Sequence, residues 1–280
     1  ILRAAAELPD LIGSEEGECV ECGFMKRYAE LLRNMIIEGV DSESDRLHPL
    51  RSMKIAVDAG NGVGGFYAYD VLAPLGADIS GSVYLEPDGN FPNHAPNPEN
   101  AEAMDCLSKA VVSSHSDLGV IFDTDVDRAA CVGKDGFEIN RNRLVALASE
   151  IALEGCPGGT IVTDSVTSDG LAAFIAAKGG KHLRFKRGYR NVINKQLELC
   201  AEGVKCPLAM ETSGHAAFAE NYFLDDGAYL ITKLIIKAAA LSERGLALES
   251  LIDGLAEPAE ERELRFKILC DDFRPVGEKV

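Results

Sequence analysis

The sequence predicts an α/β protein made of two consecutive mixed α/β domains, each with helices packed on a mixed sheet. Short apolar runs alternate along the chain with amphipathic stretches, a pattern typical of sheets covered by helices. With 280 residues the chain is long enough for two domains, and its 46% hydrophobic content can fill their cores. The alternation restarts near residue 142, so we expect the domain boundary there.

We divide the chain into four parts. Residues 1–23 are acidic and read as a linker or the remnant of a preceding domain. Residues 24–142 form the first α/β domain and 143–258 the second. Residues 259–280 are expected to form a linker and the start of a further unit, because Arg262 to Leu269 alternates like a strand.

In the first domain, apolar periodicity and turn residues define the elements. The sequence predicts, in order, a helix over 24–37, a loop over 42–50, a strand over 54–58, a helix over 64–75, a strand over 77–85, a loop over 87–98, a helix over 98–114, and a strand over 118–122. Gly76 stops the second helix, and Pro98 opens the third. After the apolar run 129–132, the residues 134–137 predict a hairpin turn.

The second domain repeats the alternation. The sequence predicts, in order, a helix over 143–154, a strand over 160–164, a helix over 168–178, a strand over 182–185, a helix over 191–201, a strand over 206–210, and a long helix over 226–241. Strands that alternate with helices in this way indicate a parallel or mixed sheet.

Composition excludes some partners. The formal net charge is −17, and nucleic acid or an anionic membrane needs a basic face, so we expect neither as a partner. No apolar run approaches the roughly 20 residues of a membrane-spanning helix. The eight cysteines are scattered and do not resemble a disulfide framework, which favours an intracellular, reducing compartment.

Three aspartates stand at alternate positions after an apolar strand. In extended chain Asp123, Asp125 and Asp127 face the same way, and three carboxylates that close repel one another unless a cation lies among them. A hard divalent ion with oxygen ligands is the expected occupant. A calcium EF-hand does not fit, because Arg128 and Lys134 stand where that loop needs glycine and glutamate.

Three motifs together resemble a known family. The chain contains DTDVDR at 123–128, ETSGH at 211–215 and DAGNG at 58–62. In this order they resemble domains II and III of the α-D-phosphohexomutases, the phosphoglucomutase and phosphomannomutase superfamily. The resemblance covers about residues 24–280, and the form of the first motif is most similar to members from plants and algae.

The resemblance implies a reaction and a set of site residues. Members interconvert hexose 1-phosphate and hexose 6-phosphate, here with glucose or mannose, through a phosphoserine and a bisphosphate intermediate. By resemblance, Mg²⁺ is held by Asp123, Asp125 and Asp127, the catalytic residue in this chain is Arg128, and the hexose phosphate is bound by Glu211, Ser213, His215, Lys186, Arg187 and Arg190. The implied compartment is the cytoplasm or the plastid stroma.

The chain departs from the family pattern at several positions. Thr124 and Val126 stand where the metal-binding loop of the family usually has glycines. Val126 would be strained if its position needs a positive φ. Val166 stands where a basic residue is common, and Tyr189 where a histidine is common. The phosphoserine signature T/S-x-S-H-N does not occur in the sequence. A non-catalytic binding or assembly protein with the same fold is therefore a second hypothesis.

Other residues leave alternatives open. Glycines at 60, 62 and 65 after a strand, with Glu86 further on, also match a dinucleotide-binding turn, so a nicotinamide-dependent oxidoreductase is a third hypothesis. The basic island 181–190 either meets a phosphosugar or is a solvated surface. The separated histidines His48, His94 and His182 predict surface or core roles.

Overall fold

The computed structural model describes residues 18–260, 262, 268–269 and 274–277. Most of the expected strand over 262–269 and most of the linker over 1–23 lie outside the described residues. The described helices are α1 (Phe24–Val40), α2 (Ala101–Ser114), α3 (Asn142–Gly155), α4 (Asp169–Ala177), α5 (Tyr189–Ala201), α6 (Gly227–Ser242) and α7 (Arg274–Gly277). The strands are β1 (Ile55–Asp58), β2 (Leu118–Phe122), β3 (Ala129–Gly133), β4 (Glu138–Ile139), β5 (Thr160–Thr163), β6 (Lys181–Arg184), β7 (Leu208–Met210) and β8 (Ala216–Phe218).

The first sheet has the strand order β1-β2-β3-β4. The first pair is parallel and the other two pairs are antiparallel, which confirms a mixed sheet. Every residue of β1 and β2 is buried, which explains their uninterrupted apolar sequence. Because parallel strands end at the same edge, Asp58 and the aspartate loop after Phe122 come together there.

The second sheet has the order β6-β5-β7-β8. The central strand β5 is parallel to both β6 and β7, and β8 is antiparallel to β7. The carboxyl ends of β5 and β7 therefore share an edge, where Asp164 and Glu211 follow them. Both sheets thus deliver carboxylates at the strand ends, as open α/β sheets do at ligand sites.

The two sheets share one hydrophobic core. Helix α6 of the second half packs against α1 and β3 of the first half, and the buried Tyr67 hydroxyl lies 2.8 Å from the Thr232 hydroxyl of α6. The larger of two clusters of buried apolar side chains among the described residues includes Leu32 of α1, Ile121 of β2 and Leu234 of α6. The sheets are separate although the core is continuous, so the boundary near residue 142 stays a prediction.

Two predicted elements of the first half differ from the structure. The segment expected as an α-helix over 64–75 is a π-helical turn, Tyr67–Leu72, followed by a 3₁₀ turn that ends at Gly76, whose φ is 89°. The strand expected over 77–85 is wrong: it makes only isolated bridges, Lys54 with Asp78 and Asp58 with Val83. The Ser82 hydroxyl accepts the Val57 amide at 2.9 Å, and this bond interrupts the ladder.

Several short elements were not predicted from the sequence. Strand β8 has three residues, too few to show a period of two, the 3₁₀ turn Ala219–Asn221 also has three, and the 3₁₀ turn Leu248–Ile252 has five. The other predicted helices and strands are present, with ends shifted by up to three residues. In the described part of the chain, no helix combines the length and apolar character that crossing a bilayer requires.

Candidate active site

The metal loop, residues 123–128, leaves the end of β2 and folds back into β3. One carboxylate oxygen from each of Asp123, Asp125 and Asp127 lies within 4.8 Å of the others, so the structure brings the predicted ligands together. Asp123 is buried and organises the loop: its Oδ1 accepts the amides of Val126 and Arg128 at 3.1 and 3.2 Å. Asp125 is exposed and Asp127 half-buried, so the group opens toward solvent.

Arg128 is fixed between two elements. Its Nε donates to Asp123 Oδ2 at 2.8 Å, and its Nη1 donates to Asn97 Oδ1 at 3.2 Å. The guanidinium thus balances part of the negative charge of the loop and ties the loop to residues 87–98. Sequence reasoning had not assigned a role to Asn97.

The backbone of the metal loop is strained at one residue. Val126 has a φ of 72°, a region that β-branched residues avoid, and its side chain is only 7% exposed. The expectation that Val126 would be strained if the loop needs a positive φ is therefore correct. Two contacts hold the residue: its amide donates to Asp123, and its carbonyl accepts the Gly227 amide at 3.0 Å.

The glycine turn after β1 packs against the metal loop. A Cβ on Gly62 would lie 2.7 Å from the Thr124 carbonyl oxygen, and one on Gly65 would lie 2.1 Å from the carbonyl oxygen of Leu85. The Val63 amide also donates to the Thr124 carbonyl at 3.0 Å. These glycines are explained by close backbone packing, which removes the main support for a dinucleotide site.

The sugar loop, residues 211–215, connects β7 to β8. Glu211 is buried, its Oε1 accepts the Gly188 amide at 2.5 Å, and the Ser213 hydroxyl donates to its Oε2 at 3.5 Å. Thr212 turns to the other side and donates to Asp164 Oδ2 at 2.9 Å. Glu211 and Ser213 therefore lie side by side and keep lone pairs for a further partner.

The metal loop and the sugar loop touch through their backbones. Arg128 and His215 form an isolated antiparallel bridge, and the Ala129 amide donates to the Gly214 carbonyl at 3.5 Å. Gly214 has a φ of 101°, and a Cβ there would lie 2.6 Å from the Ala129 carbonyl oxygen. Only glycine allows this approach. The two motifs, more than 80 residues apart in sequence, thus form one site.

His215 occupies the junction of the two loops. Its Nδ1 lies 2.7 Å from Asp225 Oδ2 and 3.7 Å from Asp127 Oδ2. The ring of Tyr189 stacks on the imidazole with centroids 4.9 Å apart. Tyr189, which replaces a histidine of the family pattern, therefore contacts the site directly. The sequence analysis had not assigned a role to Asp225.

Only one part of the basic island 181–190 lies at the site. Arg187 Nη2 lies 3.4 Å from Glu99 Oε1, and Arg190 lies over the Tyr189 ring at 5.7 Å. Lys186 is exposed beside them. Arg184 instead pairs with Asp169 on the outer surface. The structure thus brings the segment 186–190 to the sugar loop.

Burial and neighbouring charges shift the pKa values of the site's ionisable groups. Burial, followed by the charge of Asp123, raises the pKa of Asp127 to about 7. Burial also raises the pKa of Glu211, an effect that the Gly188 amide partly opposes. Burial alone would lower the pKa of His215, but the carboxylates of Asp225 and Asp127 outweigh it and raise the pKa.

Two further buried carboxylates lie at the strand ends. Asp164, after β5, has one oxygen without a hydrogen-bond partner among the described residues, and burial raises its pKa. Asp58, the last residue of β1, pairs with His94, whose Nε2 lies 2.9 Å from Asp58 Oδ2 while its Nδ1 lies 3.0 Å from the Ala95 carbonyl. His94, for which the sequence predicts a core or surface role, is thus buried. Its ion pair with Asp58 anchors residues 87–98 to β1.

Comparison with known proteins identifies the family. Residues 26–136 match the family described as phosphoglucomutase/phosphomannomutase, alpha/beta/alpha domain II, and residues 140–258 match its alpha/beta/alpha domain III. Together these matches cover most of the chain. The chain belongs to the phosphoglucomutase/phosphomannomutase family.

Curated phosphohexomutases from bacteria are among its relatives. The chain is 34% identical over 235 residues to the phosphomannomutase/phosphoglucomutase of Pseudomonas aeruginosa, covering 84% of this chain and 47% of the relative. It is 33% identical over 209 residues to the phosphoglucomutase of Neisseria gonorrhoeae, covering 74% of this chain and 44% of the relative. The chain thus spans about half the length of the curated phosphohexomutases it matches. The predicted likeness to plant and algal members stays a prediction.

Solved phosphohexomutases share the fold. A phosphoglucomutase/phosphomannomutase family protein from Burkholderia thailandensis superposes with a TM-score of 0.65 and 31% identity, over 82% of this chain and 46% of that one. The N-acetylphosphoglucosamine mutase of Aspergillus fumigatus, in complex with GlcNAc-6P and magnesium, is 14% identical with a TM-score of 0.52 over 83% of this chain and 54% of that one, and supports the fold alone.

Proposed function

We propose that the protein carrying this chain is a phosphohexomutase that interconverts hexose 1-phosphate and hexose 6-phosphate, with glucose or mannose as the sugar. The observation that supports it is the contact between the three-carboxylate loop and the sugar loop at Arg128 and His215. The relatives' names supply the reaction class. Hexose phosphates combine hydroxyls with a phosphate dianion, the groups that carboxylates and guanidinium groups recognise.

Mg²⁺ is the cofactor we propose for the metal loop. The donor set fits, because Asp123, Asp125 and Asp127 offer only hard carboxylate oxygens, and these come within 4.8 Å of one another. After burial, the charge of Asp123 is the next cause of the raised pKa of Asp127, and a bound cation would relieve that repulsion. When bound, the ion would withdraw charge from a phosphoryl group during transfer.

We assign sugar binding, phosphate binding and loop positioning to residues of this chain. Glu211 and Ser213 are placed to accept and donate hydrogen bonds to vicinal sugar hydroxyls, with Glu211 held by the Gly188 amide. We assign Arg128 to steadying the metal loop beside the transferred phosphate. We assign the second phosphate to the exposed cationic groups next to the sugar loop, which are Lys186, Arg187 and Arg190. The backbone of His215 holds the sugar loop beside the metal loop through its bridge to Arg128. The phosphoserine is not among the residues we assign in this chain.

A coupled assay tests the proposal. The protein carrying this chain is incubated with Mg²⁺, glucose 1-phosphate and a trace of glucose 1,6-bisphosphate, and product is followed with glucose-6-phosphate dehydrogenase. Mannose 1-phosphate is tested in parallel with mannose-6-phosphate isomerase and glucose-6-phosphate isomerase added, so that its product reaches the same dehydrogenase. We expect turnover that Asp125→Asn reduces by at least about 100-fold, because the exposed ligand is lost without disturbing the core. The matched control, Asp135→Asn, changes an exposed aspartate outside the site and should leave turnover intact.

The same experiment decides between the enzyme and the non-catalytic hypothesis. Val166, 54% exposed, and Tyr189 stand where the family pattern has other residues, and they motivate the alternative of a binding protein. Binding of hexose phosphate without turnover of glucose or mannose phosphates would favour that alternative. Absence of both binding and turnover in the presence of Mg²⁺ would overturn the proposed function.

A further inference from the structure

The turn 225–227, at the start of α6, contacts both loops of the site. Asp225 faces the sugar loop, and the Gly227 amide donates to the Val126 carbonyl of the metal loop at 3.0 Å. Between them, Asp226 caps α6 by accepting the Tyr229 amide at 2.9 Å. The Tyr28 hydroxyl of α1 also donates to Asp226 at 2.6 Å. The turn is thus anchored to two helices as well as to both loops.

Asp225 contacts two donors. Its Oδ1 accepts the Ala216 amide at 3.1 Å, and its Oδ2 lies 2.7 Å from His215 Nδ1, an ion-pair contact whose angles fall outside hydrogen-bond geometry. A carboxylate can accept from both partners because each oxygen has free lone pairs. An asparagine offers a single acceptor oxygen and turns an NH₂ group toward the other donor, so it cannot serve both. Asp225 therefore determines where the imidazole of His215 lies.

The position of His215 matters because a metal ligand lies on its other side. Asp127 Oδ2 is 3.7 Å from the same His215 Nδ1 that lies 2.7 Å from Asp225. Released from Asp225, the imidazole has Asp127 as its next anionic partner. The ring would then occupy an oxygen that the metal loop offers to a cation.

We propose that Asp225 is a positioning residue that keeps the His215 imidazole from closing to hydrogen-bonding distance of Asp127, so that Asp127 can bind a divalent cation. The inference rests on the proposed Mg²⁺ site of the metal loop. It adds that metal affinity depends on a residue that touches neither the ion nor the sugar. It also predicts that the dependence acts through His215, which distinguishes it from a general loss of stability.

A double-mutant cycle at positions 225 and 215 tests the proposal. Mg²⁺ binding to the chain is measured by isothermal titration calorimetry for wild type, Asp225→Asn, His215→Gln and the double variant. We expect Asp225→Asn to weaken Mg²⁺ binding by about 10- to 100-fold, the usual effect of losing an outer-sphere partner. We expect the double variant to bind within about threefold of His215→Gln, since the competing ring is gone. Asp253→Asn, an exposed change, is the matched control.

Unchanged Mg²⁺ affinity in Asp225→Asn would overturn the proposal, and so would weakened binding that His215→Gln does not restore. If Asp225→Asn no longer unfolds cooperatively, the Mg²⁺ affinity of His215→Gln decides the question. Mg²⁺ binding to His215→Gln at least as tight as to wild type supports the proposal. Weaker Mg²⁺ binding to His215→Gln overturns it.

An NMR measurement on the metal-free chain tests this inference separately from the proposed function. The chain has five histidines, so the imidazole ¹⁵N signals of His215 are assigned by their loss in His215→Gln. We expect those signals to shift in metal-free Asp225→Asn and to stay in place in Asp253→Asn. Failure of wild type to bind Mg²⁺ would count against the proposed function alone. Unshifted signals in Asp225→Asn would overturn the positioning role.

Discussion

The Gly227 amide donates a hydrogen bond to the carbonyl of Val126 across 3.0 Å. This bond joins the first residue of α6 to the strained residue of the metal loop. A side chain at 227 would prevent it, because a Cβ would lie 2.8 Å from the Val126 carbonyl oxygen and 2.9 Å from the Arg128 carbonyl carbon. The glycine of the second half thus stabilises a left-handed backbone in the first half.

Val126→Gly tests the strain. Relief of the positive φ gains about 1–3 kcal/mol. Loss of the buried side chain costs about 1.5–3 kcal/mol. Because the two effects oppose each other, we expect the free energy of unfolding in urea to change by less than about 2 kcal/mol. The control Val120→Gly, fully buried in β2 without strain, should lose about 3 kcal/mol or more. Equal losses in the two variants would show that position 126 stores no strain.

Asp127 should make the metal-free chain less stable as pH rises. Its folded pKa is raised from 3.8 to about 7, so its stabilising contribution is fully present below the lower value and is lost as pH rises through the higher one. We expect the melting temperature in EDTA to fall between about pH 5 and pH 8 more steeply for wild type than for Asp127→Asn. Saturating Mg²⁺ should remove that fall. A slope that Asp127→Asn leaves unchanged would contradict the assignment.

The buried pair of His94 and Asp58 should stabilise the fold below neutral pH. The hydrogen bond to Asp58 raises the pKa of His94 above its ordinary 6.5. Its contribution is therefore complete below about pH 6.5 and is lost as pH rises past the folded value. We expect His94→Gln to lower the melting temperature most near about pH 6 and progressively less toward about pH 9. A deficit independent of pH, or an equal deficit in the exposed control His115→Asn, would contradict this.

The hydroxyl of Tyr28 should stabilise the junction of α1 and α6. Burial raises the pKa of this phenol, so it stays protonated and donates to Asp226 at 2.6 Å. We expect Tyr28→Phe to lower the free energy of unfolding by about 1.5–3 kcal/mol, as for hydrogen bonds to charged groups. The control Tyr69→Phe removes an exposed hydroxyl that donates to Glu86 at 3.1 Å and should cost less than about 0.5 kcal/mol. Equal effects measured by urea denaturation would refute the role of the junction.

The sequence by itself determined the fold class, most of the elements and the two loops that carry chemistry. It did so because these signals are local: alternating apolar runs mark buried strands, and three carboxylates at a period of two face one way. It also indicated the strain at Val126, since a β-branched residue stood where a glycine was expected.

Only the tertiary structure decided which residues distant in sequence meet. The contacts of Asp225 with His215, of Gly227 with Val126 and of His94 with Asp58 join residues whose partners no periodicity specifies. Likewise, the segment 77–85 has the composition of a strand, but the Val57 amide of β1 donates to the Ser82 hydroxyl instead of to a backbone carbonyl of that segment. Long-range packing and side-chain hydrogen bonds set these features, and they depend on chain positions that are adjacent only after folding.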